Sequence, residues 1–120
     1  ARESLELARR VLLYRRGRAM HSIRGRTVVL VDDGLATGVT VHAAVRSARQ
    51  GQPDAIVLAV PVCAAETARE LRTMVDEVVC VKCPEELTAV GYWYEDFAQT
   101  EDREVLALLA RAEQPAAARL

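Results

Sequence analysis

The chain has 120 residues, 51% of them hydrophobic and 28% charged, and its 16 Lys and Arg against 17 Asp and Glu leave a formal charge of −1. That length and balance fit one soluble globular domain with a real core and exclude two independent ones. The longest apolar stretches fall far short of the ~20 residues a bilayer crossing needs, no secretory leader is visible, and three cysteines are an odd set for a disulfide scaffold, so a cytoplasmic protein without a membrane span is expected. The charge is unevenly placed: residues 1–26 carry eight Arg against two Glu, +6, and residues 27–120 sum to −7. Such a chain is a basic arm on an acidic body, and the acidic body argues against a nucleic-acid partner.

From Glu3 to about Tyr14, Leu5, Ala8 and Leu12 recur at helical spacing and predict a helix. The Arg-rich, Gly-punctuated stretch from Arg15 to Arg26 predicts a loop. Thr27 to Val31 is a β-branched apolar run without alternation, which predicts a strand buried on both faces, the kind found in parallel sheets. Val41, Ala44, Val45 and Ala48 mark one face of a helix that ends near Gly51. Ala55 to Val60 predicts a second strand closed by Pro61; Ala64, Ala68, Leu71 and Val75 lie at helical spacing; Val78 to Val81 predicts a third strand closed near Pro84. Strands alternating with helices give βαβαβ with right-handed crossovers and a parallel sheet covered on both faces. After the aromatic segment Gly91-Tyr92-Trp93-Tyr94, Thr100 stands as an N-cap for a helix with Val105, Leu108, Leu109 and Ala112 on its buried face. The division expected is a basic helix and loop over 1–26, an α/β domain over 27–113 and a frayed tail over 114–120.

The informative stretch is Val28-Val29-Leu30-Val31-Asp32-Asp33-Gly34-Leu35-Ala36-Thr37-Gly38-Val39-Thr40. In an open α/β sheet, ligands sit beyond the carboxyl ends of the strands, and Asp32 and Asp33 stand at one. Two adjacent carboxylates there need compensation, which sugar hydroxyls and a Mg²⁺ both supply. A few residues on, Ala36, Thr37, Gly38, Val39 and Thr40 place small residues where successive backbone N–H groups point outward at a helix N-terminus, an arrangement that binds phosphate. The Thr37 and Thr40 hydroxyls can add hydrogen bonds or cap the helix. Acids for a diol beside a nest for a phosphate describe a ribose 5-phosphate.

These thirteen residues resemble the phosphoribosyl diphosphate signature of type I phosphoribosyltransferases: four apolar strand residues, two acids, and a loop ending in Thr-Gly-x-Thr. Gly34 departs from the pattern, standing where most members have an aliphatic residue. The resemblance implies a three-layer α/β sandwich with a parallel sheet. It also implies that Asp32 and Asp33 hold the ribose hydroxyls, that Ala36 to Thr40 cradle the 5-phosphate, and that phosphoribosyl diphosphate binds with Mg²⁺ on the two acids. The family's chemistry is transfer of the ribose 5-phosphate to a nitrogenous base with release of pyrophosphate. More loosely, Tyr14 to Arg18 and the run Val90 to Phe97 look most like bacterial phosphoribosyltransferases without an assigned base. Arg15, Arg16 and Arg18 of the basic arm are either a solvated face or placed to reach the diphosphate, and through the Val-Gly-Tyr run shared with the hypoxanthine-guanine enzymes Glu95 resembles an acid that stands near the base and metal there. Ala36 stands where hypoxanthine-guanine enzymes carry an Asp, and Pro61 and Val62 stand where those enzymes carry a Lys; both departures count against a 6-oxopurine acceptor.

Family members place a strand and a pyrophosphate loop ahead of the signature, and 26 residues precede it here. The stretch therefore resembles the C-terminal, N-terminally truncated part of the fold, with binding expected to survive where turnover does not. The alternatives are a regulatory module that binds phosphoribosyl diphosphate or a nucleotide, and a fragment that needs a partner subunit or a missing N-terminal segment to complete the sheet; a homo-oligomer is a further expectation. Other site types fit less well. A receiver pocket needs an Asp at the end of a later strand, where Pro61 stands, and the Walker A and dinucleotide patterns are absent. Cys80-Val81-Lys82-Cys83 has no second pair for zinc, so a buried Cys80 and a semi-exposed Cys83 are expected. His42 is expected on a solvated helix face with Arg46 and Arg49, and Tyr92, Trp93 and Phe97 as packing residues.

Overall fold

The computed structural model describes residues 5, 9, 13 and 21–114. Of the helix expected over 3–14, Leu5, Arg9 and Leu13 are described and helical; the turn bearing Arg15, Arg16 and Arg18 and the tail 115–120 lie outside the described residues. The chain divides into two units, residues 22–97 and residues 1–21 with 98–120.

The first unit is the βαβαβ arrangement that the alternating patterns predict. Strand β1 (Thr27–Val31), helix α1 (Val39–Gln50), strand β2 (Ala55–Val62), helix α2 (Ala65–Leu71) and strand β3 (Glu77–Lys82) follow in order. The sheet order is β1-β2-β3, all parallel, with Thr27 to Val31 paired to Ala55 to Ala59 and Leu58 paired to Val78. Ile56 and Leu58 of β2 and Ala68 and Leu71 of α2 are fully buried, and Val41, Val45 and Ala48 of α1 close over them. Deleting a buried side chain of this size costs about 2–5 kcal/mol, so this layer holds the unit together.

Burial alternates along the strands instead of covering both faces. Right-handed crossovers that advance in one direction across a sheet put their helices on the same side, and the core indeed gathers α1, α2 and one set of strand residues. The other set, Val29, Val31, Val79 and Val81, is exposed, Val31 by 74% and Val81 by 76%. Pro61 does not end β2 as expected. It takes one rung from the ladder to β3, and pairing resumes at Val62 with Lys82, where Cys63 N–H also donates to the Lys82 carbonyl at 3.0 Å. Helix α2 is shorter than the spacing predicts, closing at Leu71. Turn bonds from Met74 and Val75 N–H to the Leu71 carbonyl, at 2.9 and 3.1 Å, still deliver Val75 to the core.

In the second unit, helix α3 spans Asp102–Glu113. Thr100 is not its N-cap: Glu101 is, with extended backbone and no side-chain cap bond, so the helix starts later than expected and brings Asp102 and Glu104 into the first turn. Nor is the expected face buried. Val105 is half-buried while Leu108, Leu109 and Ala112 are exposed; an amphipathic pattern marks a face that could be covered, not the partner that covers it. No helix among the described residues is long and apolar enough to cross a membrane.

At the amino ends of the strands, Asp76 fastens three elements. Its carboxylate accepts the Ile56 N–H at 2.7 Å and its own N–H donates to the Ile56 carbonyl at 2.9 Å, while Arg49 of α1 reaches both Asp76, at 3.5 Å, and the Met74 carbonyl, at 3.0 Å. The Ile56 N–H first, and then the Arg49 guanidinium, hold the Asp76 carboxyl below its ordinary value. A carboxylate whose folded value is depressed contributes stability above the unfolded value, and that contribution disappears as pH falls through the folded one. Acid titration of urea stability should therefore show a steeper loss below the carboxylate range in the wild type than in Asp76→Asn; identical acid limbs would contradict the assignment.

Candidate functional site

β1 ends at Val31 and delivers Asp32 and Asp33 at the carboxyl edge of the sheet. The Asp33 N–H donates to Asp32 Oδ1 at 2.8 Å. Both residues are largely exposed, yet burial of part of the Asp33 carboxyl, then Asp32 as hydrogen-bond and charge neighbour, push its pKa up from the ordinary value, against the pull of the Gly34 and Asp33 N–H groups. Parallel pairing resumes at Leu35, opposite Cys63. The Leu35 N–H donates to the Val62 carbonyl at 3.0 Å and the Ala64 N–H to the Leu35 carbonyl at 2.9 Å. The acidic pair thus sits in a short arch between two stitched points of the same sheet edge.

Beyond Leu35 the chain turns into α1. Gly38 is the N-cap residue, with φ 74° and ψ 10°, and no side chain caps the helix; the capping expected of Thr37 or Thr40 is not made. The Gly38 carbonyl accepts the His42 N–H at 2.9 Å, which starts the helix. The first-turn N–H groups stand at the positive end of the helix, an environment suited to an anion. From α2, the Thr67 hydroxyl donates to the Ala36 carbonyl at 2.6 Å, and a Cβ on Gly38 would lie 2.9 Å from Thr67 Cγ2. Thr67 is the buried polar residue among the described residues. Sequence reasoning passed over it, although it shares the face of Ala64 and Leu71, where a polar residue needs a partner.

A third element closes on the arch. The segment that opens with a 3₁₀ turn, Val90–Trp93, brings the Tyr94 hydroxyl to the Asp33 carbonyl as a donor at 2.5 Å. Burial, then the charges of Asp33 and Asp32, push the Tyr94 phenol up, which keeps it a donor. Val90 packs against Gly34, where a Cβ would meet its Cγ1 at 2.6 Å and Val62 Cγ1 at 2.8 Å. Gly34 is therefore the residue that leaves room for Val90. Beside Tyr94, Pro61, Val62, Val81, Lys82 and Trp93 line a cavity of about 170 Å³ at the carboxyl ends of β2 and β3. Of the aromatics, Tyr92 is exposed, while Tyr94 packs on Phe97 with ring centroids 4.9 Å apart. Glu95 is exposed next to Tyr94.

The remaining sequence candidates fall elsewhere. His42 is half-buried, not solvated, with Nε2 3.3 Å from Glu70 Oε1 and out of hydrogen-bond alignment. The difference arises because α2 lies near α1 and brings Glu70 close to Nε2. Cys63 is buried, Cys80 half-buried and Cys83 exposed. Burial, then the neighbouring Cys83 thiol, push the Cys80 thiol up to about 12, so Cys80 is an inert thiol at neutral pH. No group of three His, Cys, Asp or Glu among the described residues could hold a metal.

Comparison with known proteins covers the same stretch. The model of the phosphoribosyl transferase domain matches residues 2–96. A protein named "Putative phosphoribosyl transferase" from each of two Mycobacterium tuberculosis strains is 44% identical over 111 residues, covering 92% of this chain and 25% of the relative. The crystal structure of TT1426 from Thermus thermophilus superposes with a TM-score of 0.78 at 41% identity, over 90% of this chain and 51% of that one. The chain thus spans about a quarter of the length of those curated relatives and about half of the solved one.

The contact between Gly38 and Thr67 gives a direct test of the loop. Gly25 has a similar φ of 69° with nothing within 4 Å of a Cβ, and Gly38 has φ 74° with Thr67 in the way. Each change to Ala should cost the left-handed strain of about 1–2 kcal/mol, and Gly38→Ala should lose more than Gly25→Ala in urea denaturation. Equal losses would mean that Thr67 does not brace the loop.

Proposed function

The chain belongs to the phosphoribosyl transferase domain family, and from that premise we propose that it binds phosphoribosyl diphosphate and takes part in transfer of the ribose 5-phosphate to a nitrogenous base. The observation that carries the reading is the juxtaposition, along one short stretch of chain, of two carboxylates at the end of β1 and a helix N-terminus without a side-chain cap behind a left-handed glycine. Asp32 and Asp33 accept hydrogen bonds from the ribose hydroxyls. Backbone N–H groups from Ala36 to Thr40 receive the 5-phosphate, helped by the Thr37 and Thr40 hydroxyls and by the helix dipole.

The same pair suits Mg²⁺. Two adjacent hard oxygen donors, with Asp33 pushed up by burial first and then by Asp32 beside it, favour a cation that takes its remaining ligands from water and substrate phosphates. Asp32 and Asp33 would hold it, and when bound it neutralises charge on the departing diphosphate. In the reaction, a base nitrogen forms a bond to ribose C1 as the C1–oxygen bond breaks, the electron pair leaves with pyrophosphate, and the nitrogen gives up its proton. The chain's part is to orient the sugar against the incoming base. The cavity lined by Pro61, Val62, Val81, Lys82, Trp93 and Tyr94 is mostly apolar with one charged side chain and lies beside the acidic arch through Tyr94, which suits a flat heteroaromatic acceptor.

The exposed apolar side of the sheet favours a second reading for turnover alone. Val29, Val31, Val79 and Val81 are bare, and the match covers 51% of the solved relative; in this reading binding belongs to this stretch, and catalysis also needs the further part of such a fold laid over that face.

Calorimetric titration with phosphoribosyl diphosphate and Mg²⁺ tests the proposal. Asp33→Asn and Thr37→Ala should each weaken binding about ten- to a hundredfold, the loss of one or two hydrogen bonds to a charged group. Binding by a folded wild type that survives both substitutions would overturn the site. Binding without pyrophosphate release across a panel of nucleobases would select the second reading.

A further inference from the structure

We infer that Tyr94 is a positioning residue, which aims the Asp33 carboxylate by holding the peptide between Asp33 and Gly34; the inference rests on the reading of Asp33 as a ribose-binding residue. The last ladder pair of β1 is Val31 with Ala59, and pairing returns only at Leu35 with Cys63. Between them the sheet does not set the backbone, and the acidic pair needs another constraint.

Three contacts supply it. The bond from Asp33 N–H to Asp32 Oδ1, 2.8 Å, fixes the peptide before Asp33. The bond from the Tyr94 hydroxyl to the Asp33 carbonyl, 2.5 Å, fixes the peptide after it. Val90, at the Gly34 backbone, blocks that peptide from turning, because even a Cβ at Gly34 would come within 2.6 Å of it. With the peptides on both sides held, both Asp33 backbone dihedrals are set, and so is the direction of the Cα–Cβ bond from which its carboxylate projects. Val90 and Tyr94 belong to one short segment, itself fastened by the Tyr94 ring on Phe97 and by Phe97 over Gly91, where a Cβ would meet Phe97 Cδ2 at 2.7 Å. The segment grips the arch by a wedge at Val90 and a hydrogen bond one turn further on.

The phosphate side of the site is held independently, by the Leu35 bonds to Val62 and Ala64 and by Thr67 on Ala36. Removing the Tyr94 hydroxyl therefore loosens Asp33 and leaves residues 36–40 as they were. A group ordered before the ligand arrives spares the complex that ordering cost, so the loss falls on ligands that carry the ribose hydroxyls and spares those that carry only a phosphate.

The test compares the 120-residue wild type with Tyr94→Phe, and with Val90→Ala as a second variant that keeps the hydroxyl. Ribose 5-phosphate and methyl phosphate are titrated by NMR, and folding is checked by thermal unfolding. Tyr94→Phe should weaken ribose 5-phosphate about tenfold, the worth of one hydrogen bond, with methyl phosphate binding unchanged. Val90→Ala should shift ribose 5-phosphate in the same direction by less. In ligand-free protein the Gly34 amide resonance, on the peptide that Tyr94 holds, should move in Tyr94→Phe. Unchanged ribose 5-phosphate affinity in Tyr94→Phe, or equal loss of both ligands, would overturn the positioning role. A wild type that binds methyl phosphate and ignores the sugar would instead fail the ribose reading itself, and the positioning role with it, even if the Gly34 resonance moves.

Discussion

One parallel bridge, Leu35 opposite Cys63, organises this molecule's functional edge. Its two hydrogen bonds, to the Val62 carbonyl and from the Ala64 N–H, re-attach the chain to β2 after β1 has ended. The re-attachment leaves Asp32 to Gly34 as an arch of fixed span. It also buries Leu35 and fixes the chain to the sheet edge three residues before the Gly38 N-cap of α1, so that the acidic pair and the helix N-terminus flank one anchored point. Hydrogen bonds at such a join are worth only about 1 kcal/mol each, yet here they decide which groups can meet one ligand.

What surrounds the arch is complementary to it in volume as well as in polarity. Gly34 has no side chain where Val90 and Val62 crowd in, and the departure from an aliphatic residue at that position is matched by a valine supplied from far along the chain. Thr67 plays a comparable part at Ala36 and Gly38. Asp32 and Asp33 place two carboxylates side by side in the arch, and the elements around them offer hydroxyls and backbone dipoles. On the proposed reading, such a site suits a neutral diol or a cation on one side and a phosphate on the other.

Much of this was legible in the residues. The β-branched run from Thr27, the small-residue loop and the helical spacing of Val41, Val45 and Ala48 identify β1, the arch and α1 because each is a local pattern with a local cause. The α/β class and the parallel sheet follow from their alternation. What the residues did not disclose depends on contacts between distant parts of the chain. Pro61 stays in β2 because neighbouring rungs carry the strand past it, and α2 stops at Leu71 although the apolar spacing runs on to Val75. The bond from Tyr94 to Asp33 joins residues 61 apart and that from Thr67 to Ala36 residues 31 apart; no periodicity encodes either. The bare side of the sheet was misread because a continuous apolar run signals burial on two faces without saying what supplies the second cover.

The central claim is that residues 32–40 form one continuous receptor for a ribose 5-phosphate. Its most direct test is a crystal structure of the chain grown with phosphoribosyl diphosphate and Mg²⁺. The 5-phosphate is expected against the N–H groups of Ala36 to Thr40 and the ribose hydroxyls on the carboxylates of Asp32 and Asp33. A ligand bound with its phosphate elsewhere, and its sugar away from both aspartates, would contradict it.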